Sequence, residues 1–219
     1  MSNESTDSTR TTTTPSKFIF ESTFYPKIGP DDQIPTEPFL NACRVIVNFL
    51  GMLGKIFVPV KADINGHIEK VKKIVACNPE KFSFLDAIID PAVKVEKKEV
   101  KRRKDAIMSL TWLKRSCEFV FYFLTKFTDP ENLSIEDLRP LFRDAYERKL
   151  KQHHSVVAQK LFQVCVHAAP TRSYTVCVLT GKGDRTEKQV YAIVNIFLQG
   201  MRANVECLVR TFDKFELQQ

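Results

Sequence analysis

Residues 57–70 read FVPVKADINGHIEK, and positions 61–70 of this segment are the densest polar stretch in the chain. A helix is predicted to follow Pro59, and on it Asp63, His67 and Lys70 share one face because they are four and three residues apart. The spacing alone favours a solvated face with an Asp–His pair, ahead of a hydrogen-bonding site for a polar ligand. A metal or acid–base site ranks third, since no further ligand or nucleophile lies nearby in sequence.

Helical periodicity continues on both sides of this segment, and prolines and polar caps mark its breaks. Caps are predicted at Ser83 with Asp86, Ser134 with Asp137, and Thr186 with Gln189. About eight helices are predicted: a short one within 17–35, then roughly 36–54, 59–78, 83–91, 104–127, 134–169 (kinked or restarted at Pro140), 173–180 and 186 onward. The absence of an internal repeat disfavours a solenoid, so a single all-α domain over 17–219 is expected.

The composition fits a folded helical chain. Of the 219 residues 43% are hydrophobic and only 7 are Gly, which excludes collagen-like and globally disordered chains and disfavours a β-sandwich. Residues 1–16 carry ten Ser or Thr and no large apolar residue beyond Met1, so they are predicted to form a disordered tail.

The longest strongly apolar stretch, Phe119 to Leu124, is far too short to span a bilayer, and the N-terminus lacks the apolar core of a secretory signal. Six widely scattered cysteines favour buried free thiols over a zinc site or a disulfide framework. These features predict a cytosolic protein.

The net charge of +7 points to an anionic partner, either nucleic acid or an anionic membrane surface. Residues 94–104 hold seven basic and two acidic side chains. A run of this kind is usually a solvated face, with phosphate binding as the second interpretation. Because no aromatic residues interrupt it, a nucleic-acid module is disfavoured.

Two further motifs are weak when taken singly. Trp112, the only Trp, lies on one predicted helix with Arg115 and Phe119, and alone it reads as a core residue rather than a stacking platform. His153 and His154 are adjacent on a predicted helix, so they would point about 100° apart and would not face one site.

Together these motifs resemble the glycolipid transfer protein family. The resemblance covers nearly all of residues 33–170 and continues more weakly to the C-terminus. It rests on several segments in the right order: Pro38-Phe39, FVPVKADING at 57–66, Asn78-Pro79 with Lys81-Phe82, Trp112-Leu113-Lys114-Arg115, and His154 ahead of QKLFQ at 159–163 and AAP at 168–170.

The resemblance implies an all-α fold of two helix layers with no enzymatic activity and no cofactor or metal. Such proteins hold one sphingolipid, with its headgroup at a surface site and its chains in an apolar pocket between the layers. Phe119 and Phe162 are the expected pocket members. We also expect many of the 17 phenylalanines to line the space for lipid chains.

The resemblance also implies roles at the headgroup. Asp63 would hydrogen-bond the sugar and the sphingosine amide nitrogen, and Lys70 would hydrogen-bond sugar hydroxyls. Trp112 would stack beneath the first sugar ring, and His154 would donate to the ceramide amide carbonyl. A sugar ring has one apolar face and a rim of hydroxyls, so this set of side chains matches it chemically.

Three positions bear on the choice of headgroup and on membrane docking. Glycolipid-binding members usually place Asn where this chain has His67, which adds His67 to the predicted site and leaves the headgroup open. Members that handle phosphorylated ceramide place Arg where Trp112 stands, so Trp112 favours a sugar. The aromatic residue expected to touch the membrane just after His154 is replaced by Val156.

The favoured function is therefore non-enzymatic transfer of a glycosphingolipid between membranes by a monomer that touches their surfaces transiently. One alternative is a carrier of ceramide-1-phosphate or another phosphosphingolipid, with Lys70 and Arg115 near the phosphate. Another is a slow-releasing sphingolipid sensor. A hydrolase is disfavoured, since no Ser or Cys nucleophile arrangement accompanies the histidines.

Overall fold

The computed structural model describes residues 18–181 and 185–217, so the predicted tail at 1–16 lies outside the described residues. Within those ranges the chain forms nine α-helices and no strand. They are α1 (Ile19–Ser22), α2 (Thr36–Met52), α3 (Val58–Val75), α4 (Leu85–Ile89), α5 (Val100–Thr128), α6 (Arg139–Lys149), α7 (Val156–His167), α8 (Arg172–Leu179) and α9 (Glu187–Lys214). The predicted all-α, two-layer helical sandwich is confirmed.

The 29-residue helix α5 is the centre of the fold, and it packs against α3, α6 and α9. Its buried residues recur three and four positions apart, as a helix with one core-facing stripe requires: Leu110, Leu113, Cys117, Val120 and Leu124. Because α3 packs along the same helix, the polar residues of α3 are brought beside the N-terminal half of α5.

Most phenylalanines fill the core rather than a lipid pocket. Nine of them are less than 2% exposed: Phe20, Phe39, Phe49, Phe82, Phe123, Phe127, Phe142, Phe197 and Phe212. Phe123 and Phe142, for example, stack with ring centroids 4.0 Å apart and join α5 to α6. The expectation that many phenylalanines line a chain-binding space is therefore wrong, since Phe119 and Phe162 alone among the described ones line the main cavity.

The predicted caps had mixed outcomes. The capping box at Thr186 and Gln189 is confirmed at the start of α9. The Ser83 cap is wrong, because α4 begins at Leu85 after Phe84, with no side-chain cap. Backbone pairing with the segment before α2 fixes this start instead: the Leu85 amide donates to the Ile34 carbonyl at 3.0 Å.

The Ser134 cap is wrong as well, because α6 begins at Arg139. Pro140 occupies its first turn, as a restarted helix requires, and the Asp137 carboxylate accepts from the Arg139 amide at 3.0 Å.

Within the described residues no helix is long and apolar enough to cross a membrane. All six cysteines are free thiols, as predicted; four are buried, Cys77 is half-buried and Cys177 is exposed.

Candidate functional site

A cavity of about 610 Å³ lies between α2, α3, α5 and α7, and its volume is in the range of sites for organic ligands. Its walls are apolar and are formed by Leu50, Pro59, Val60, Ile64, Phe119, Val120, Leu150, Ala158, Leu161 and Phe162. The rest of the lining is polar or carries a polar atom, namely Asp63, His67, Trp112, Ser116, His153, His154 and Ser155, and of these Asp63, His67, Trp112 and His154 lie next to one another. The cavity therefore offers separate polar and apolar surfaces to one ligand.

Helix α3 supplies Asp63 and His67 from consecutive turns. Asp63 is exposed at the rim, whereas His67 is buried, and the His67 Nε2 atom lies 3.6 Å from Asp63 Oδ2. The neighbouring His67 ring lowers the pKa of Asp63, against the opposing effect of partial burial. Asp63 is thus a carboxylate at neutral pH, and it can only accept hydrogen bonds.

Lys70 lies on the same helix two turns further on. It is exposed and does not line the cavity. Its charge contributes to lowering the pKa of Asp63, so it acts on the rim electrostatically. The structure therefore unites Asp63 and His67 at the cavity and leaves Lys70 at its periphery.

Trp112 on α5 forms the aromatic part of the site. It is half-buried and lines the cavity, so its interpretation as a core residue is wrong. The His67 ring stacks with it at a centroid distance of 6.1 Å and an angle of 12°, and the His154 ring lies 5.5 Å away. Arg115, one turn along, places its guanidinium 5.0 Å from the Trp112 ring without lining the cavity.

The two adjacent histidines differ from their predicted placement. His153 ends a short 3-10 turn and His154 is extended, so neither is in an α-helix, and both line the cavity. The helix begins only after Ser155, whose hydroxyl accepts from the Ala158 amide at 3.3 Å. Outside a helix the 100° separation does not apply, and His153 is a cavity residue that sequence reasoning missed.

His154 is held by a second residue that the sequence did not single out. Its Nδ1 atom lies 3.1 Å from the hydroxyl of buried Tyr146. Burial lowers the pKa of His154, so the ring is neutral at physiological pH. If the Tyr146 hydroxyl donates, His154 carries its hydrogen on Nε2.

The apolar wall is built from aromatic contacts between α5, α6 and α7. Phe162 stacks on Tyr146 with centroids 3.8 Å apart and meets Phe119 edge-on at 5.5 Å. Tyr146 thus contacts both the wall, through its ring, and the polar part, through its hydroxyl. Both predicted chain-contacting residues, Phe119 and Phe162, do line the cavity.

Helix α7 carries a row of exposed apolar side chains next to the cavity. Val157 is 77% exposed, and Leu161 and Val164 follow it at four and seven residues, so they share one face; Val156 beside them is 68% exposed. We call these four residues the apolar ridge of α7. Leu161 belongs both to the ridge and to the cavity lining, so the ridge adjoins the cavity.

In the part of the chain that the structure describes, no group of three or more His, Cys, Asp or Glu side chains could hold a metal ion.

Solved structures place this architecture in the GLTP fold. The GLTP-fold structure of FAPP2, described as selecting simple glycosphingolipids, matches with a TM-score of 0.79 and 28% identity over 92% of this chain and 97% of that one. HET-C2, a fungal glycolipid transfer protein, matches with a TM-score of 0.71 and 26% identity over 91% of this chain and 94% of that one. Human ceramide-1-phosphate transfer protein shares the fold with a TM-score of 0.72 and 16% identity, over 92% of this chain and 95% of that one.

The sequence identifies the family itself. Residues 34–181 match the model of the glycolipid transfer protein family. The chain is also 32% identical over 194 residues to Pleckstrin homology domain-containing family A member 8 of Homo sapiens, across 86% of this chain and 36% of that protein. The chain belongs to the glycolipid transfer protein family, whose members bind and transfer glycolipids or ceramide-1-phosphate. It spans about a third of the length of the curated relatives that it matches.

Proposed function

We propose that this protein binds one glycosphingolipid and transfers it between membranes without changing it chemically. The observation that carries the proposal is the division of one cavity into an apolar chamber and a polar part where Asp63, His67, Trp112 and His154 meet. Such a division matches a molecule with a hydrocarbon end and a hydroxyl-rich end.

The polar part suits a sugar linked to an amide. Trp112 offers an aromatic face for the apolar side of the sugar ring. Asp63 accepts from hydroxyl or amide hydrogens, and neutral His154 has a ring N–H for the amide carbonyl. Because these groups are partly desolvated, a lipid that leaves them unpaired binds more weakly.

The apolar chamber accounts for transfer. Exposing a 16-carbon chain to water costs on the order of 13 kcal/mol, at about 0.8 kcal/mol for each CH₂. A protein that shields the chain between Phe119, Phe162 and the other apolar wall residues lowers the barrier for leaving a bilayer.

The apolar ridge of α7 is the surface that we assign to membrane contact. It adjoins the cavity through Leu161, its valines are exposed, and the exposed Lys160 lies within the same helix. Each basic residue near an anionic bilayer contributes about 1 kcal/mol, which supports transient docking rather than anchoring.

A phosphosphingolipid is the second candidate cargo, because the partly buried guanidinium of Arg115 lies against Trp112 and its Nε atom has no hydrogen-bond partner among the described residues. The exposed carboxylate of Asp63 at the rim disfavours a dianionic phosphate by like-charge repulsion. A slow-releasing sensor differs from a carrier only in its kinetics, so transfer has to be measured beside binding.

The test is a vesicle assay that compares transfer of fluorescent glucosylceramide with that of fluorescent ceramide phosphate. We expect transfer of glucosylceramide and little transfer of the phosphate. Trp112→Ala and Asp63→Val should reduce transfer to background with helicity intact, whereas Tyr174→Ala, which removes an exposed aromatic ring from α8, should not. Full transfer by both site variants contradicts the proposal, preferential transfer of ceramide phosphate favours the second cargo, and tight binding with negligible transfer favours the sensor.

A further inference from the structure

Behind His67, away from the rim, lies a buried hydroxyl that belongs to neither the wall nor the polar lining of the cavity. Ser109 on α5 is 1% exposed, and its Oγ atom lies 3.3 Å from His67 Nδ1. The same Oγ donates to the Asp105 carbonyl one turn back on α5, at 2.7 Å. The packing of α3 on α5 therefore gives His67 a fixed partner on its inner side.

Counting hydrogens assigns the direction of this contact. A serine hydroxyl has one hydrogen, and here the short bond to Asp105 uses it, so toward His67 Ser109 can only accept. The hydrogen between them must come from His67 Nδ1. In the neutral ring the other nitrogen, Nε2, is then an acceptor.

The outer side of His67 consequently presents acceptors to the ligand. Its Nε2 atom lies 3.6 Å from the carboxylate oxygen of Asp63, which is too long for a direct hydrogen bond of ordinary length. Two acceptors side by side attract a donor placed between them. A sugar hydroxyl supplies such a donor, whereas a phosphate dianion has acceptors only.

We propose that Ser109 is a positioning residue that fixes His67 as its Nδ1–H tautomer, so that His67 and Asp63 jointly accept a hydrogen bond from one sugar hydroxyl. This inference rests on the proposed function, which it deepens by naming the chemistry of selection. The pair selects uncharged headgroups that carry a donor at this point and rejects dianionic ones. Ser109 acts through His67 and does not touch the ligand.

The first experiment reads the tautomer without any lipid. Two-dimensional ¹⁵N–¹H spectra of the full chain with labelled histidines, recorded above the titration range of imidazole, distinguish Nδ1–H from Nε2–H. We expect Nδ1–H at His67 in the wild type and in Ser109→Thr, which keeps the hydroxyl, and a shift toward Nε2–H in Ser109→Ala. Thr111→Ala is the matched control, because Thr111 also donates to a carbonyl one turn back, that of Ile107 at 3.3 Å, without lining the cavity.

The second experiment measures binding of glucosylceramide analogues in which each sugar hydroxyl in turn is replaced by hydrogen or by fluorine. Fluorine keeps the size and a weak acceptor but removes the donor. At one position both replacements should weaken binding about tenfold in the wild type, the usual effect of one lost hydrogen bond at a partly buried site. In Ser109→Ala the same replacements should weaken binding less than about threefold.

The outcomes separate this inference from the proposed function. An Nε2–H tautomer in the wild type, or the same tautomer in the wild type and Ser109→Ala, overturns the role of Ser109. Equal affinity for all analogues, or retention of binding by the fluorinated analogue alone, overturns the claim that a sugar hydroxyl donates to His67 and Asp63. If the wild type binds no glucosylceramide, both the proposed function and the claim of a donating sugar hydroxyl are overturned. The ligand-free spectrum still decides whether Ser109 sets the tautomer.

Discussion

The walls and the polar part of the cavity are built by different physical means. The walls rest on side chains packed face to face or edge to face, such as Phe162 against Tyr146 and Phe119. In the polar part, His67 and His154 are each placed by one hydrogen bond and one contact with the Trp112 ring. The walls therefore depend on volume and area, whereas the polar part depends on the identity of single atoms.

This difference says how each region should respond to substitution. Apolar contacts are non-directional and scale with buried area, so a wall tolerates exchange of one apolar residue for another of similar size. A directional hydrogen bond does not tolerate exchange, because its loss leaves a polar group unpaired. A variant of the wall should lose lipid binding only when it changes the volume of the cavity. A variant of the polar part should lose binding even when it keeps that volume, if it changes the pattern of hydrogen-bond donors.

The largest effect is expected from filling the chamber. Ala158 on α7 lines the cavity, and Ala158→Phe would place a ring in the space for the lipid chain. If about four CH₂ groups are displaced, binding weakens by roughly 3 kcal/mol, or more than about a hundredfold. Titration with glucosylceramide vesicles measures this loss.

Ala203→Phe is the matched control for this variant, because Ala203 is exposed on α9 and does not line the cavity. The urea midpoint should stay unchanged in both variants, since the cavity has room for the new ring. Undiminished lipid binding by Ala158→Phe would show that hydrocarbon does not occupy this chamber.

A smaller effect is expected at the apolar ridge of α7, which adjoins the wall through Leu161 and is otherwise outside both regions. Val157→Asp should slow transfer about tenfold, because it removes an apolar contact with the bilayer and adds repulsion from anionic lipids. Binding of lipid presented in detergent should not change. The measurement is transfer between vesicles with increasing anionic lipid content.

Ile196→Asp provides the comparison for the ridge. Ile196 is 55% exposed, an apolar residue on α9 that is distant in sequence from the ridge and absent from the cavity lining. Equal slowing by Ile196→Asp and Val157→Asp would remove the case for a specific docking surface.

The two regions also differ in how far the sequence predicted them. The stripe of buried residues on α5 follows from apolar spacing alone, and the positions of Asp63 and His67 on one face of α3 follow from helical geometry. The local capping box of α9 was equally predictable from the sequence. Features set within a few turns of one helix were therefore predictable.

Features set by packing between distant segments were not. Ser109 reaches His67 across 42 residues of sequence, and no local pattern signals that contact. Ser83 fails as a cap because the segment before α2 pairs with the backbone at Phe84. Likewise, no periodicity distinguishes core phenylalanines such as Phe142 from cavity residues such as Phe162, since both are buried apolar positions of a helix.

The smallest effect is expected from titrating His154. Burial holds the pKa of His154 below the ordinary imidazole value of about 6.5, while in the unfolded chain the ring regains that value. Between the two values the unfolded state binds more protons, so stability must fall as the pH falls. The stability that comes from burying neutral His154 is fully present above about pH 6.5, and it is lost as the pH drops through the pKa of His154 in the folded state.

Urea unfolding at several pH values between 7.5 and 5 tests this sign. His154→Gln should flatten the dependence of the unfolding free energy on pH. His153→Gln should also flatten it, because burial lowers the pKa of His153 as well. His167→Gln, at an exposed position at the end of α7, serves as the matched control. Asp63, whose pKa is also lowered, acts in the same direction but only near the acidic range of carboxylates, below the window of the histidines. An unchanged slope in the His154 and His153 variants would show that these rings are solvated in the folded protein, and would remove the basis for treating His154 as a desolvated part of the site.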